Sequence, residues 1–213
     1  QFQAVFCNDY GTLDRHHNSH YLPVCYDPKM HFDAGRERIY KSGFIGGHNR
    51  TRERYLLAVA DAGLLSYLVG GPWRPARKHH QSLRAFNQAP NCTPAQTAEY
   101  YQQTQVVINV WRERHHYNQK RIPGYSMNPR IYESLACGAL VLSEPRPETE
   151  EVFPLLPTFD SPQCLTRRLE ALLNDPAARE LILDDCRKKL AGHTYTDRLA
   201  KILKVCLGWE REL

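Results

Sequence analysis

Residues 128–143, Asn-Pro-Arg-Ile-Tyr-Glu-Ser-Leu-Ala-Cys-Gly-Ala-Leu-Val-Leu-Ser, constrain the fold more than any other stretch. They predict a short helix, a glycine stop and a buried strand in one unbroken run. Asn128 is a residue type that caps helices. Pro129 suits the first helical position, where its fixed φ is pre-organised and its missing N–H is not needed. Gly138 can take the left-handed conformation that ends a helix. Residues 139–142 are an apolar run of strand length. The helix start offers free backbone N–H groups, with Arg130 in the first turn and Glu133 about one turn further in.

The same alternation runs through residues 42–190. Residues 43–47 read as a strand ending in a glycine pair, and residues 50–63 as a helix with Leu56, Val59 and Ala60 on one face. Residues 64–69 read as a strand broken by Gly70-Gly71-Pro72. Thr93-Pro94-Ala95-Gln96 resembles a capping box that opens a helix to about residue 103. Residues 106–111 are a β-branched strand, and residues 157–160 a weak one. Ser161-Pro162 and Asp175-Pro176 open two further helices, the first striped by Leu165, Leu169, Leu172 and Leu173. A last helix from about Thr194 carries Leu199, Ile202, Leu203, Cys206 and Leu207 on one side. Alternating strands and helices predict an α/β fold, a doubly wound parallel sheet with helices on both faces.

Ahead of this body, residues 2–7 and 21–25 read as short extended runs around a polar, His-rich loop at 8–20. Residues 29–41 read as a linker. The expected organisation is residues 1–40 as the remnant of a preceding domain plus linker, residues 41–193 as one α/β domain, and residues 194–213 as a closing helix. The sequence opens on Gln1 inside a strand-like run and so reads as starting partway through a longer protein. No signal peptide is visible, and no apolar run nears the ~20 residues of a membrane span. Seven cysteines, an odd number with no Cys-x-x-Cys pair, fit a reduced, cytoplasmic chain that uses thiols as small hydrophobes. The net charge of +5 slightly favours anionic small molecules.

In an open parallel sheet, ligands sit beyond the carboxyl ends of the strands. Three such ends carry candidate chemistry. At Gly46-Gly47-His48-Asn49-Arg50, glycines allow close backbone approach and the next helix start offers N–H groups to a phosphate; a plain tight turn reads equally well. Residues 109–118, starting at Asn109, hold two arginines, two histidines and two aromatics, as a substrate loop or a solvated one. At Asn128 the helix N-terminus carries about half a positive charge, so a diphosphate would be stabilised and Arg130 would add a charge-assisted hydrogen bond. Glu133 repels phosphate but can accept hydrogen bonds from both hydroxyls of a ribose. An exposed Arg130–Glu133 pair at i, i+3, worth about a few tenths of a kcal/mol, explains the same residues without a ligand. The histidines at 16, 17, 20, 79, 80, 115 and 116 lack cysteine or carboxylate partners in a ligand pattern, so no metal site is expected. The basic run 74–84 lacks aromatic interleaving, so nucleic acid is not expected either.

The element Arg130-x-x-Glu133-x-x-Ala136-x-Gly138 and its flanks resemble the donor-site signature of GT-B glycosyltransferases, closest to the spore-maturation-type group. Residues 21–28 (Tyr-Leu-Pro-Val-Cys-Tyr-Asp-Pro), Gly43-Phe44-Ile45-Gly46 followed by Arg52, Gly70-Gly71-Pro72-Trp73, and residues 193–198 (His-Thr-Tyr-Thr-Asp-Arg) agree in order and spacing. The resemblance implies the C-terminal, Rossmann-like half of a two-domain fold that binds a nucleotide-sugar donor and needs no metal or other cofactor. It implies Glu133 on the ribose and Gly46 and Gly47 near the donor phosphates, with Arg130, Asn128, Arg52 and Asn109 completing the donor site. Many retaining members carry a glutamate eight residues before the ribose-binding one. Tyr125 stands there, so the stereochemical outcome is left open, as is the acceptor. A catalytic base is expected from the preceding domain, so donor binding without turnover is expected of this chain alone. Two other readings stay open: an epimerase or phosphorylase on the same fold, and a non-catalytic α/β module that associates through the last helix, whose stripe ends near Trp209.

Overall fold

The computed structural model describes residues 2–71, 73, 81–112 and 123–208. The histidine pairs at 79–80 and 115–116, most of the basic run 74–84, most of the loop 109–118 and Trp209 lie outside the described residues.

The chain opens with two short parallel strands, β1 (Val5–Cys7) and β2 (Ser19–Tyr21), linked by a 3-10 helix at Tyr10–Arg15. Among the described residues a second sheet holds five parallel strands: β3 (Tyr40–Ile45), β4 (Tyr67–Val69), β5 (Asn87–Ala89), β6 (Thr104–Asn109) and β7 (Leu140–Ser143). Their order is β5-β4-β3-β6-β7. The sheet is wound outward from β3 in both directions, so its topological switch point lies between β3 and β6. Val106, Val107 and Ile108 of β6 and Leu140, Val141 and Leu142 of β7 are fully buried. A parallel sheet covered on both faces requires such continuous apolar runs.

The helices are α1 (Arg50–Asp61), α2 (Gln81–Arg84), α3 (Pro94–Gln102), α4 (Pro129–Ala136), α5 (Pro147–Val152), α6 (Pro162–Asn174), α7 (Pro176–Lys188) and α8 (Tyr195–Leu207). Helix α1 packs on α2 and α6, while α4 packs on α3 and α7. The two groups flank the sheet, as the alternation predicts. Local signals place most helix starts. Asn49, Ser161 and Asp175 accept N–H bonds from their own first turns, and Thr93 with Gln96 forms the expected capping box.

Several expectations need correction. Asn128 occupies the N-cap position of α4, but its side chain makes no cap hydrogen bond. Residues 157–160 form only a single bridge, Ser143 to Thr158. The strand expected at 64–69 is confined to β4, and the one at 2–7 to β1. The His-rich loop contains the 3-10 helix, because Asp9 accepts the Gly11 N–H and starts a turn there. Elements β5 and α5 had no predicted counterpart. No residue of α8 is buried, so its apolar stripe is only partly covered; Leu199 and Leu207 are exposed.

Carboxylates attach residues 2–27 to the body. Asp9 Oδ2 accepts the N–H groups of Tyr125 (3.1 Å) and Ser126 (3.2 Å). The Tyr21 hydroxyl donates to Glu148, whose other oxygen accepts the Met127 N–H at 2.5 Å. Arg198 of α8 donates to the carbonyls of Pro23 (2.8 Å) and Val24 (3.2 Å).

Gly43 shows how tightly β3 is packed. A Cβ there would lie 2.1 Å from Cζ of Tyr67, a fully buried ring whose hydroxyl is 3.0 Å from Thr104 Oγ1. Gly43→Ala should therefore cost about 2–3 kcal/mol by overpacking, read as a lower urea midpoint; a loss under about 0.5 kcal/mol would mean that the ring swings aside freely. Glu148 gives a pH test. Burial raises its pKa above the ordinary carboxylate value, more than the Tyr21 and Met127 hydrogen bonds lower it. An acid with a raised folded pKa contributes stability that is full below the unfolded pKa and is lost as pH rises through the folded one. From about pH 4 to 7 the wild type should lose stability relative to Glu148→Gln, whose amide can serve the same two partners. A difference that stays constant with pH in urea unfolding would rule out this role of burial.

Candidate functional site at the strand ends

The switch point opens between the carboxyl ends of β3 and β6, and the side chains placed there interlock. Asn109, the last residue of β6, is fully buried. Its Nδ2 donates to Ser143 Oγ at 2.8 Å, and its Oδ1 accepts from Asn128 Nδ2 at 2.9 Å and from Arg130 Nη1. The other arm of Arg130 donates to the Ile45 carbonyl at the end of β3. Asn128 fails to cap α4 because its amide serves Asn109 instead. Its Oδ1 and Arg130 Nε are buried with no hydrogen-bond partner among the described residues. Buried polar atoms of this kind are rare without water or ligand.

Two glycines make room for this arrangement. Gly46 has φ +155°, and a Cβ on it would lie 3.0 Å from Arg130 Nη2. Gly70 has φ +89° and approaches so closely that its Cβ would lie 3.2 Å from the Gly46 backbone. Trp73 Nε1 donates to the Gly46 carbonyl at 3.1 Å.

Arg52, on the first turn of α1, is only 7% exposed. Its Nη1 donates to the Gly47 carbonyl (2.8 Å) and its Nε to that of Val110 (3.1 Å). The guanidiniums of Arg52 and Arg130 lie 5.2 and 4.8 Å from the centre of the Phe44 ring. Burial first, then the charges of Arg130 and Arg112, push the Arg52 pKa down to about 9, with Glu144 opposing. Arg52 stays a cation at neutral pH, among charges of its own sign.

Of the expected site residues, the structure thus joins Asn109, Asn128, Arg130, Gly46, Gly47 and Arg52 in one network. Glu133 lies outside it. Its Oε1 is 4.0 Å from His31 Nε2, and its side chain is 22% exposed. Burial raises its pKa, against His31 and Arg130, which lower it. The Arg130–Glu133 surface ion pair is not formed, because Arg130 turns to the strand ends. The backbone N–H groups of residues 125–127, just before α4, are already engaged by Asp9 and Glu148. Among the described residues no group of three His, Cys, Asp or Glu could hold a metal ion, and no helix is long and apolar enough to cross a membrane.

Sequence reasoning missed His31, Asp9 and Glu148. His31 sits in a stretch read as linker, and no local pattern marks it. Glu148 had a usable signal: Arg146-Pro147-Glu148 repeats the helix-opening proline seen at Pro162 and Pro176.

Comparison with curated proteins finds no match. Among solved structures, sucrose-phosphate synthase from Thermosynechococcus elongatus superposes with a TM-score of 0.67 at 15% identity, over 95% of this chain and 57% of that one. A trehalose-6-phosphate protein from E. coli, bound with UDP-2-fluoro glucose, gives 0.56 at 11% identity, over 91% of this chain and 53% of that one. The C-terminal CMP-Kdo binding domain of WaaA from Acinetobacter baumannii gives 0.50 at 17% identity, over 73% of this chain and 91% of that one. At such identities the likeness is one of fold, and the chain spans little more than half the length of the first two of these structures. Residues 50–204 match the profile of the family described as glycosyl transferase-like, and the chain belongs to that family.

Proposed function

We propose that this chain carries the nucleotide-sugar donor domain of a glycosyltransferase. Residues 41–193 would be that domain, residues 1–40 the last piece of a companion domain with its linker, and residues 194–213 the closing helix. The spacing Arg130-x-x-Glu133-x-x-Ala136-x-Gly138 supports a place in the spore-maturation-type group.

The observation that carries the reading is the surplus of positive charge at the crevice between β3 and β6. Buried Arg52 feels Arg130 and Arg112 as repulsive neighbours, with Glu144 as the opposing charge. A diphosphate bound there would turn that repulsion into attraction. The engagement of the N–H groups of residues 125–127 by Asp9 and Glu148 supports a diphosphate position on the arginine side of α4. Glu133, about one turn along the helix, then accepts from the ribose diol. In transfer, the fixed arginines and the α4 N-terminus stabilise the charge that develops on the departing nucleoside diphosphate, without reorganising to do so. Two structural neighbours supply fold-level support: one is bound with UDP-2-fluoro glucose, and another is a CMP-Kdo binding domain.

Calorimetric titration with uridine, guanosine, adenosine and cytidine diphosphates tests the reading. At least one should bind, with affinity that falls as salt is raised. Glu133→Ala should weaken it about tenfold or more. Binding that ignores Glu133→Ala would remove Glu133 from the site; no binding by any of the four would sink the donor-domain reading.

A further inference from the structure

His31 stands out among the groups that the donor-site network leaves unused. It is 5% exposed, and its Nδ1 is buried with no hydrogen-bond partner among the described residues. The backbone holds it in place: the His31 N–H donates to the Asp27 carbonyl at 2.7 Å, and Asp27 Oδ1 accepts the Lys29 N–H at 2.9 Å. Its Nε2 faces Glu133 Oε1 across 4.0 Å.

That separation is too long for a hydrogen bond. It suits one intervening oxygen: a hydroxyl about 2.8 Å from each atom would see them at an angle of about 90°. The chemistry of the two atoms is complementary to a hydroxyl. A buried N–H without a partner is rarer than a buried acceptor without one, so the unpartnered Nδ1 is the acceptor and the proton sits on Nε2. Nε2 can therefore donate and a Glu133 carboxyl oxygen can accept. A hydroxyl can receive from the first and give to the second at once.

We infer that His31 and Glu133 together recognise one ribose hydroxyl of the donor, so that His31 is a specificity-determining residue for ribonucleotides over deoxyribonucleotides. This rests on the donor-domain reading above. Glu133 alone could hold a diol by accepting from it. With His31 donating on the other side, a missing hydroxyl leaves both a carboxylate and a ring N–H without a partner. A site built to bond a hydroxyl discriminates strongly against the analogue that lacks it.

The test is calorimetric titration of the whole chain with a ribonucleoside diphosphate and its 2′-deoxy and 3′-deoxy counterparts. The unaltered protein should bind the ribonucleotide about tenfold or more tighter than at least one of the two. His31→Phe should bring the ribonucleotide down to the level of that deoxy form and leave the deoxy affinity within about twofold, a pattern that general structural damage would not produce. His31→Gln, whose amide nitrogen reaches the Nε2 position, should restore part of the preference. His31→Asn, whose amide stops short, should lose it like Phe and serves in its place should the Phe variant not fold. Equal affinity for all three ligands in the unaltered protein would overturn the inference and show that the gap holds only water. A preference that survives in the Phe or Asn variant but vanishes in Glu133→Gln would overturn the role of His31 and leave the donor domain standing. No binding by the ribonucleoside diphosphate of any of the four bases would overturn both.

Discussion

The Arg130 guanidinium is the tie on which the strand ends depend. One arm reaches the Ile45 carbonyl at the end of β3, the other the Asn109 side chain at the end of β6. These are the two strands on either side of the switch point, where a doubly wound sheet splays its connections and leaves a crevice. A crevice is a weak place in a fold, and a cation shared between its walls fixes its width. The geometry has requirements of its own. Gly46 must lack a side chain for Arg130 to pass, Gly70 must lack one for Gly46 to sit where it does, and Phe44 must offer a ring to two guanidiniums. The cost is electrostatic: the charges of Arg130 and Arg112 oppose that of buried Arg52, with Glu144 offsetting part of it.

Much of the fold was legible in the sequence, because its signals are local. Helix starts marked by Thr93, Ser161, Asp175 and Thr194 depend on a side chain reaching its own first turn, and they appear as expected. The failures share a different cause. Asn128 has a capping side chain, but Asn109 competes for its amide from another element. Residues 157–160 have strand-like composition, but only one bridge to β7 forms. Strand β5, Asn-Gln-Ala, has no apolar run to announce it. Tertiary partners decide these cases.

The site divides along the same line. Arg130 and Glu133 are recognisable as a pair by spacing, yet they do not pair. What parts them is the distant partner that each finds: Ile45 and Asn109 for Arg130, His31 for Glu133. Asn109 was expected to touch a donor. Its amide is fully buried and held by Ser143, Asn128 and Arg130, so it acts on any ligand through those neighbours. Periodicity can assign a residue to a helix face, but it cannot say which of two neighbours will claim the side chain.

Helix α4 therefore separates two surfaces of different chemistry. Residues 130 and 133 are about 4.5 Å apart along its axis, close enough for one nucleotide to span both. On one side lies a rigid cationic crevice, suited to an anion. On the other lies a carboxylate facing a buried imidazole, suited to a hydroxyl. Carboxylates from Asp9 and Glu148 hold the N–H groups just before the helix, and this limits where a phosphate can approach. Under the donor-domain proposal, a nucleoside diphosphate would set its charged end against the crevice and its ribose hydroxyls about one helical turn away.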